Sequence, residues 1–95
     1  MAKPINKQLL ENHPFLAFLL MEIATGNTYS DLDFEIYDDC VFIFATPDKG
    51  HHNEKGSLEA METVVPLIKE WGFVSEPLLR NSQNGNRIDG VRIHL

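Results

Sequence analysis

The sequence predicts an α+β fold in which two helices pack on a four-stranded antiparallel sheet, in the order helix, hairpin, helix, hairpin. Three observations predict it: apolar residues at helical spacing, two pairs of short extended runs, and turn-forming residues within each pair. The chain has 95 residues, the size of one ordinary domain. We therefore expect residues 1–95 to form a single α+β domain.

The first helix is predicted to begin near Asn6, to be bent or restarted at His13-Pro14, and to end at Gly26. Its later part, residues 15–23, is apolar on nearly every side, whereas a surface helix normally has a polar face. This excess of apolar surface predicts a homodimer formed through the first helix.

The segment DLDFEIYDDCVFIFA predicts the first hairpin. Phe34 and Ile36 alternate with Asp33 and Glu35, the period of two that is typical of a half-buried strand. The two adjacent aspartates that follow predict a turn. The next run, CVFIFA, is apolar on both faces, as in a strand that lies in the middle of a sheet.

The second helix is predicted to open at Gly56 or Ser57 and to close at Gly72, with apolar residues at helical spacing between them. Pro66 falls inside this pattern, so we expect a kink or a break in the regular hydrogen bonding there. The segment before it, from Thr46 to Gly56, is rich in turn-forming residues and predicts a long loop.

The second hairpin is predicted from Asn84-Gly85, because this pair tolerates the positive φ angles of a two-residue turn. Counting outward from that turn places Arg80 opposite Asp89 as a charge pair. It also predicts a core face, which comprises Val74, Leu78, Val91, Ile93 and Leu95.

Two residues predict irregularities in this second hairpin. Pro77 lacks the N–H of a normal strand residue, which predicts that its strand lies at an edge of the sheet or is interrupted there. Gly90 within the last strand marks a β-bulge.

The formal net charge is −6, and the charge is unevenly distributed. Residues 1–50 carry eight carboxylates against three lysines, while the rest of the chain is nearly balanced. A field of this sign repels the phosphate backbone, so direct binding to nucleic acid is not expected. A charged partner is expected to be basic.

Asp31, Asp33 and Glu35 are predicted to project from one face of the first strand, about 6.6 to 6.8 Å apart. One interpretation is a solvated outer face that keeps an edge strand from pairing with other chains. A second is a divalent-metal site of the nuclease type, but the lysine which that motif needs is replaced by Tyr37. The third interpretation is a recognition surface.

The recognition surface combines this row with the acidic turn, and its predicted partner-binding residues are Asp31, Asp33, Glu35, Asp38 and Asp39. Complementary charge steers association and sets specificity, so the predicted partner is a protein with a basic surface. We expect a non-enzymatic interaction or regulatory protein without a cofactor. Regularly spaced carboxylates would even suit an inhibitor that imitates a nucleic-acid backbone.

The segment GHHNEKG supports a rival hypothesis, a metal-binding protein or metal-dependent enzyme. His51, His52 and Glu54 supply suitable donor atoms for zinc, but neighbouring side chains diverge in an extended segment. A solvated polar loop is the simpler interpretation, and no metal site is assigned.

Cellular context is predicted from two features. Cys40 is the single cysteine, which excludes an internal disulfide and favours a reducing compartment; the expected location is cytoplasmic. Cys40 begins an apolar strand, which predicts a buried, inert thiol. The longest apolar run, residues 14–21, is far shorter than the ~20 residues that a membrane-spanning helix needs, so no membrane association is expected.

Overall fold

The structure, a computed structural model, describes residues 5, 7–26, 29, 32–45, 54–82 and 85–95. These ranges contain α1 (Lys7–Asn12), α2 (Pro14–Thr25), β1 (Leu32–Ile36), β2 (Cys40–Ala45), α3 (Glu54–Glu70), β3 (Ser75–Ser82) and β4 (Gly85–His94). The strands form one antiparallel sheet in the order β1-β2-β4-β3. The predicted α+β class and the four-stranded antiparallel sheet are confirmed, and three helices replace the two that were expected.

The break between α1 and α2 lies where it was predicted. His13 has φ −139° and ψ 67°, outside the helical region, because the ring of a following proline disfavours helical angles at the residue before it. Pro14 then opens α2, where its missing N–H costs nothing. Gly26 ends α2 in the left-handed conformation, with φ 75°, and its N–H donates to the carbonyl of Ile23.

Helix α3 begins earlier than the sequence indicated. It starts at Glu54, so Gly56 and Ser57 lie inside its first turns and do not cap it. A glycine in a helix costs only about 1 kcal/mol, which the long apolar pattern that follows can offset. The helix also continues through Pro66, and it ends as predicted at Gly72, which adopts φ 87°.

One face of the sheet forms the core together with the helices. Helix α2 packs on β1, and α3 packs on β4 and β2. The strand residues that they bury alternate along each strand and comprise Leu32, Ile36, Val41, Ile43, Val91 and Ile93. As predicted, β2 lies inside the sheet. Within the described part of the chain the opposite face carries no helix, and we call it the open face.

The register of the second hairpin differs from the prediction. Ser82 pairs with Gly85, so Gly85 belongs to β4 and not to the turn. Arg80 therefore lies directly opposite Arg87, and the prediction that it lies opposite Asp89 is wrong. A register shift between Leu78 and Leu79 leaves Asp89 as the extra residue of a bulge.

This register also changes which residues reach the core. Leu78 pairs with Gly90 instead of Val91, so its side chain lies on the open face. Only Val91 and Ile93 of the five predicted core residues are buried, while Val74, Leu78 and Leu95 are 70%, 36% and 40% exposed. The bulge next to Gly90 and the edge position of β3, which contains Pro77, are confirmed.

Candidate functional site

The acidic hairpin consists of β1, β2 and the turn between them, residues 32–45. Its sequence contains no Lys or Arg and four carboxylates: Asp33, Glu35, Asp38 and Asp39. The Tyr37 N–H donates a 2.9 Å hydrogen bond to the Cys40 carbonyl, which closes the turn at the predicted place. Asp31, the fifth predicted residue, lies outside the described residues.

Strand geometry places two of these carboxylates side by side. Asp33 and Glu35 are two residues apart in β1, so both project from the open face while Leu32 and Ile36 enter the core. β1 is an edge strand of the sheet. Two carboxylates therefore lie in line along an edge strand of the described sheet.

Intramolecular hydrogen bonds hold both of these carboxylates. Each residue is half-buried, which differs from the fully solvated row that the sequence predicted. Asp33 Oδ1 accepts a 2.8 Å hydrogen bond from the backbone N–H of Phe34. Glu35 Oε2 accepts a 2.7 Å hydrogen bond from the Tyr37 hydroxyl. The donors fix where the negative charge lies, so less side-chain freedom remains to be lost when a partner binds.

A row of paired residues extends from Glu35 across the whole sheet. Glu35 on β1 pairs with Phe42 on β2, Phe42 pairs with Arg92 on β4, and Arg92 pairs with Glu76 on β3. Residues paired directly across strands share a face. Along this row, one arginine and one aromatic ring thus lie between two carboxylates.

The Phe42 ring lies at the centre of this row. The Tyr37 ring meets it edge-on, with 5.6 Å between centroids and an interplanar angle of 83°. The Arg92 guanidinium lies over the Phe42 ring, 5.7 Å from its centroid, a cation–π geometry. The sequence alone does not predict this cluster, because only the register between the two hairpins brings Arg92 next to Phe42.

The neighbouring Glu35 carboxylate changes the pKa of the Tyr37 phenol. Its hydrogen bond to the Glu35 carboxylate raises the pKa of Tyr37 above the ordinary value of 10.0, and burial and the nearby charge of Glu35 act in the same direction. Tyr37 therefore stays protonated at physiological pH and remains a hydrogen-bond donor to Glu35.

The acidic turn supplies the two exposed carboxylates. Asp38 and Asp39 are both exposed, and the Asp39 carbonyl accepts a 3.0 Å hydrogen bond from the N–H of Leu95. Asp38 also lines a cleft of about 170 Å³, whose other polar walls are Gln8, Asn12, His13 and Tyr37. The turn is thus anchored against the last residue and lies near α1.

The metal hypotheses receive no support from the described part of the chain. There, no group of three or more His, Cys, Asp or Glu side chains is placed to hold a metal ion. His51 and His52 lie outside the described residues, and Glu54 is the first residue of α3, so the histidine-loop hypothesis stays a prediction. Cys40 is buried, as expected of a structural thiol.

Comparison with known proteins adds no assignment. No protein-family model matches the chain, and no curated protein or solved structure matches it either. Among the described residues, none of the helices is long and apolar enough to span a bilayer.

Proposed function

We propose that this protein is a non-enzymatic interaction protein that binds a basic macromolecular partner through its acidic hairpin, and that it does so as a homodimer. The partner is expected to present Lys or Arg side chains to Asp33 and Glu35 and to the turn residues Asp38 and Asp39. Asp31 belongs to the same proposed surface.

One observation carries the proposal: two carboxylates of an edge strand share one face and are held in place by donors from their own hairpin. Negative charge fixed in position favours a partner whose positive charges match its spacing. Four carboxylates without a cation in residues 32–45 give this hairpin a uniform sign. Such a surface increases the association rate with a basic partner at low salt.

The opposing interpretation is that the carboxylates only protect the edge of the sheet. Natural edge strands commonly carry charge, because charge blocks pairing with other chains. The two interpretations differ in one respect: edge protection needs no partner, whereas a recognition surface loses its partner when the two carboxylates are neutralised.

The test compares two variants with an equal loss of charge. Asp33→Asn/Glu35→Gln neutralises the candidate surface, and Glu59→Gln/Glu62→Gln neutralises two exposed carboxylates on α3. Each protein is immobilised and challenged with poly-L-lysine and with a cell lysate, at increasing salt. Captured proteins are identified by mass spectrometry.

We expect the hairpin variant to lose capture of basic proteins while the α3 variant retains it, and wild-type capture to weaken as salt rises. Equal capture by wild type and the hairpin variant would reject this face as the interface. An equal loss in both variants would show that the binding depends on net charge alone, which also contradicts the proposal.

A further inference from the structure

A second surface of the molecule presents exposed aromatic rings. Phe15 and Phe18 are 64% and 58% exposed, and they lie three residues apart on α2, on one side of the helix. The Phe15 ring stacks on Trp71, with 5.7 Å between centroids and an interplanar angle of 25°. We call Phe15, Phe18 and Trp71 the aromatic stripe.

A cleft lies within the same surface. It has a volume of about 170 Å³, and its walls are Phe15, Phe18, Leu19, Glu22, Tyr29, Leu67 and Trp71. An apolar cavity of roughly 150 Å³ holds a benzene molecule, so this cleft has room for one phenyl ring. Tyr29 lines it with φ 57°, a strained conformation for a bulky residue.

We infer that the aromatic stripe is the homodimer interface, in which Phe18 of each copy enters the cleft of the other around a two-fold axis. This deepens the dimer named in the proposed function and does not depend on the acidic hairpin. An isologous contact needs one patch that offers both a protruding ring and a pocket for it. The exposed Phe18 ring and the cleft beside it meet that requirement.

The distribution of charge favours a second copy of this chain as the partner of the aromatic stripe, over a basic protein or a membrane surface. Helix α2 carries one charged residue, Glu22, in its 12 residues, whereas the chain as a whole has a net charge of −6. Two such chains repel each other least when they meet through their least charged face. A basic partner would find few carboxylates there, and an anionic membrane surface usually requires Lys or Arg beside the apolar stripe.

The exposed area sets the expected strength of the dimer. Aromatic side chains present roughly 150 to 250 Å² each, so the exposed parts of Phe15 and Phe18 amount to roughly 200 to 300 Å² per copy. Leu67 and Trp71 are half-buried and add only about 100 Å² per copy, so two copies would bury roughly 600 to 800 Å² in total, below the ~1,200 Å² at the low end of stable specific interfaces. An interface of this size predicts a weak, transient dimer, so we expect a dissociation constant in the high micromolar range.

Dimerisation through this surface leaves the acidic hairpin accessible. The aromatic stripe lies on the outer side of the helical layer, and Asp33 and Glu35 lie on the open face of the sheet, beyond the core. Each dimer would present two acidic faces pointing away from each other. A partner with repeated basic sites would then be bound at two points, which increases the overall affinity.

The experiment measures self-association of the chain alone by sedimentation velocity, from low micromolar to millimolar concentration. The test variant is Phe18→Glu, and the matched control is Leu79→Glu, which makes the same change at a residue that is 63% exposed on β3. Phe18→Ala is a second test variant without added charge. Circular dichroism and thermal midpoints confirm that each variant is folded.

We expect wild type and Leu79→Glu to form dimers with similar dissociation constants, and Phe18→Glu to weaken the dimer at least tenfold. Phe18→Ala should weaken it by a smaller factor. A wild type that stays monomeric throughout, or an equal effect of Leu79→Glu and Phe18→Glu, overturns the inference. Capture of poly-L-lysine by monomeric Phe18→Glu would show that the acidic hairpin binds without the dimer. The binding proposal and the dimer proposal are therefore tested independently of each other.

Discussion

The Tyr37 hydroxyl donates a 2.7 Å hydrogen bond to Glu35, the residue two positions before it in the acidic hairpin. This bond joins the carboxylate of an edge strand to an aromatic ring that itself contacts Phe42 edge-on. A carboxylate held in this way lies at a defined position relative to the open face. This hydrogen bond links the proposed binding surface to the packing of the sheet. The pKa of Tyr37 reports on it.

The first prediction is that Tyr37 titrates above 10.0. The Glu35 carboxylate raises this pKa because it accepts the hydroxyl hydrogen bond and repels the phenolate. The folded pKa exceeds the unfolded one, so the stabilising contribution is fully present below pH 10 and is lost as pH rises through the folded pKa. The titration is followed by tyrosinate absorbance. Comparing wild type with Tyr37→Phe and Tyr29→Phe assigns the absorbance change to each of the two tyrosines. Titration of Tyr37 at or below 10.0 would contradict the hydrogen bond.

The second prediction concerns Gly90, where β4 approaches β2 closely. A Cβ atom at this position would lie 2.8 Å from the Ile43 carbonyl oxygen and 3.2 Å from the Cα of Phe44. Both are backbone atoms of an internal strand and cannot move aside easily. We expect Gly90→Ala to lower the free energy of unfolding by roughly 1 to 3 kcal/mol, the usual cost of overpacking, as measured by urea denaturation.

Gly26 provides the control for that substitution. Its φ of 75° favours glycine, but a Cβ there would meet no atom within 4 Å. Asn tolerates this backbone conformation, so Gly26→Asn should cost less than Gly90→Ala. An equal or larger loss of stability in Gly26→Asn would mean that close approach is not what makes Gly90 necessary.

The third prediction tests the register of the second hairpin. Ile93 is fully buried, whereas Val74 is 70% exposed although the sequence pattern places it in the core. We expect Ile93→Ala to lower the free energy of unfolding by about 2 to 5 kcal/mol. Val74→Ala should change it by less than about 0.5 kcal/mol. Similar losses in the two variants would favour the register counted from an Asn84-Gly85 turn.

The elements with local determinants were predicted well. The break at His13-Pro14 and the end of α2 at Gly26 follow from the sterics of proline and from the left-handed cap of glycine, which act within a few residues. The first hairpin likewise follows from the alternation around Phe34 and from two adjacent aspartates. Local sequence therefore predicted most of the secondary structure that is described in the first half of the chain.

Features that depend on distant residues were predicted less well. The second hairpin was placed in the wrong register, because a preference for positive φ at Gly85 did not decide the turn. The bulge then moved Leu78 out of the core. The contact of Arg92 with Phe42 joins strands from different hairpins, and no local pattern predicts which strands become neighbours.

The fourth prediction separates the proposed interaction protein from its metal-dependent rival. A metal ion that binds only the folded state must raise the thermal midpoint. We expect Mg²⁺, Mn²⁺ and Zn²⁺ to leave the midpoint unchanged in differential scanning fluorimetry. A rise with Zn²⁺ that disappears in His51→Ala/His52→Ala would instead support the histidine loop as a metal site.

The fifth prediction concerns Arg92, which lies in the middle of the open face. Its Nε atom is buried and has no hydrogen-bond partner in the described part of the chain, and an orphaned buried donor costs roughly 1 to 3 kcal/mol. Arg92→Met removes this donor and keeps a flexible side chain that can pack against Phe42. The lost cation–π contact is worth about 0.5 to 2 kcal/mol. These two contributions combine to a change in the free energy of unfolding that lies between a loss of about 1 kcal/mol and a gain of about 2.5 kcal/mol, so a larger loss on urea denaturation would contradict the account of the unsatisfied donor.

The same substitution has a consequence for binding. Arg92 lies between Glu35 and Glu76 in the row across the sheet, where its charge partly screens the carboxylates from a basic partner. Arg92→Met should strengthen capture of poly-L-lysine and steepen its salt dependence, while Arg92→Lys should leave both unchanged. A loss of capture in Arg92→Met would show that the arginine contributes to the interface, and that the partner offers an acceptor group as well as positive charge.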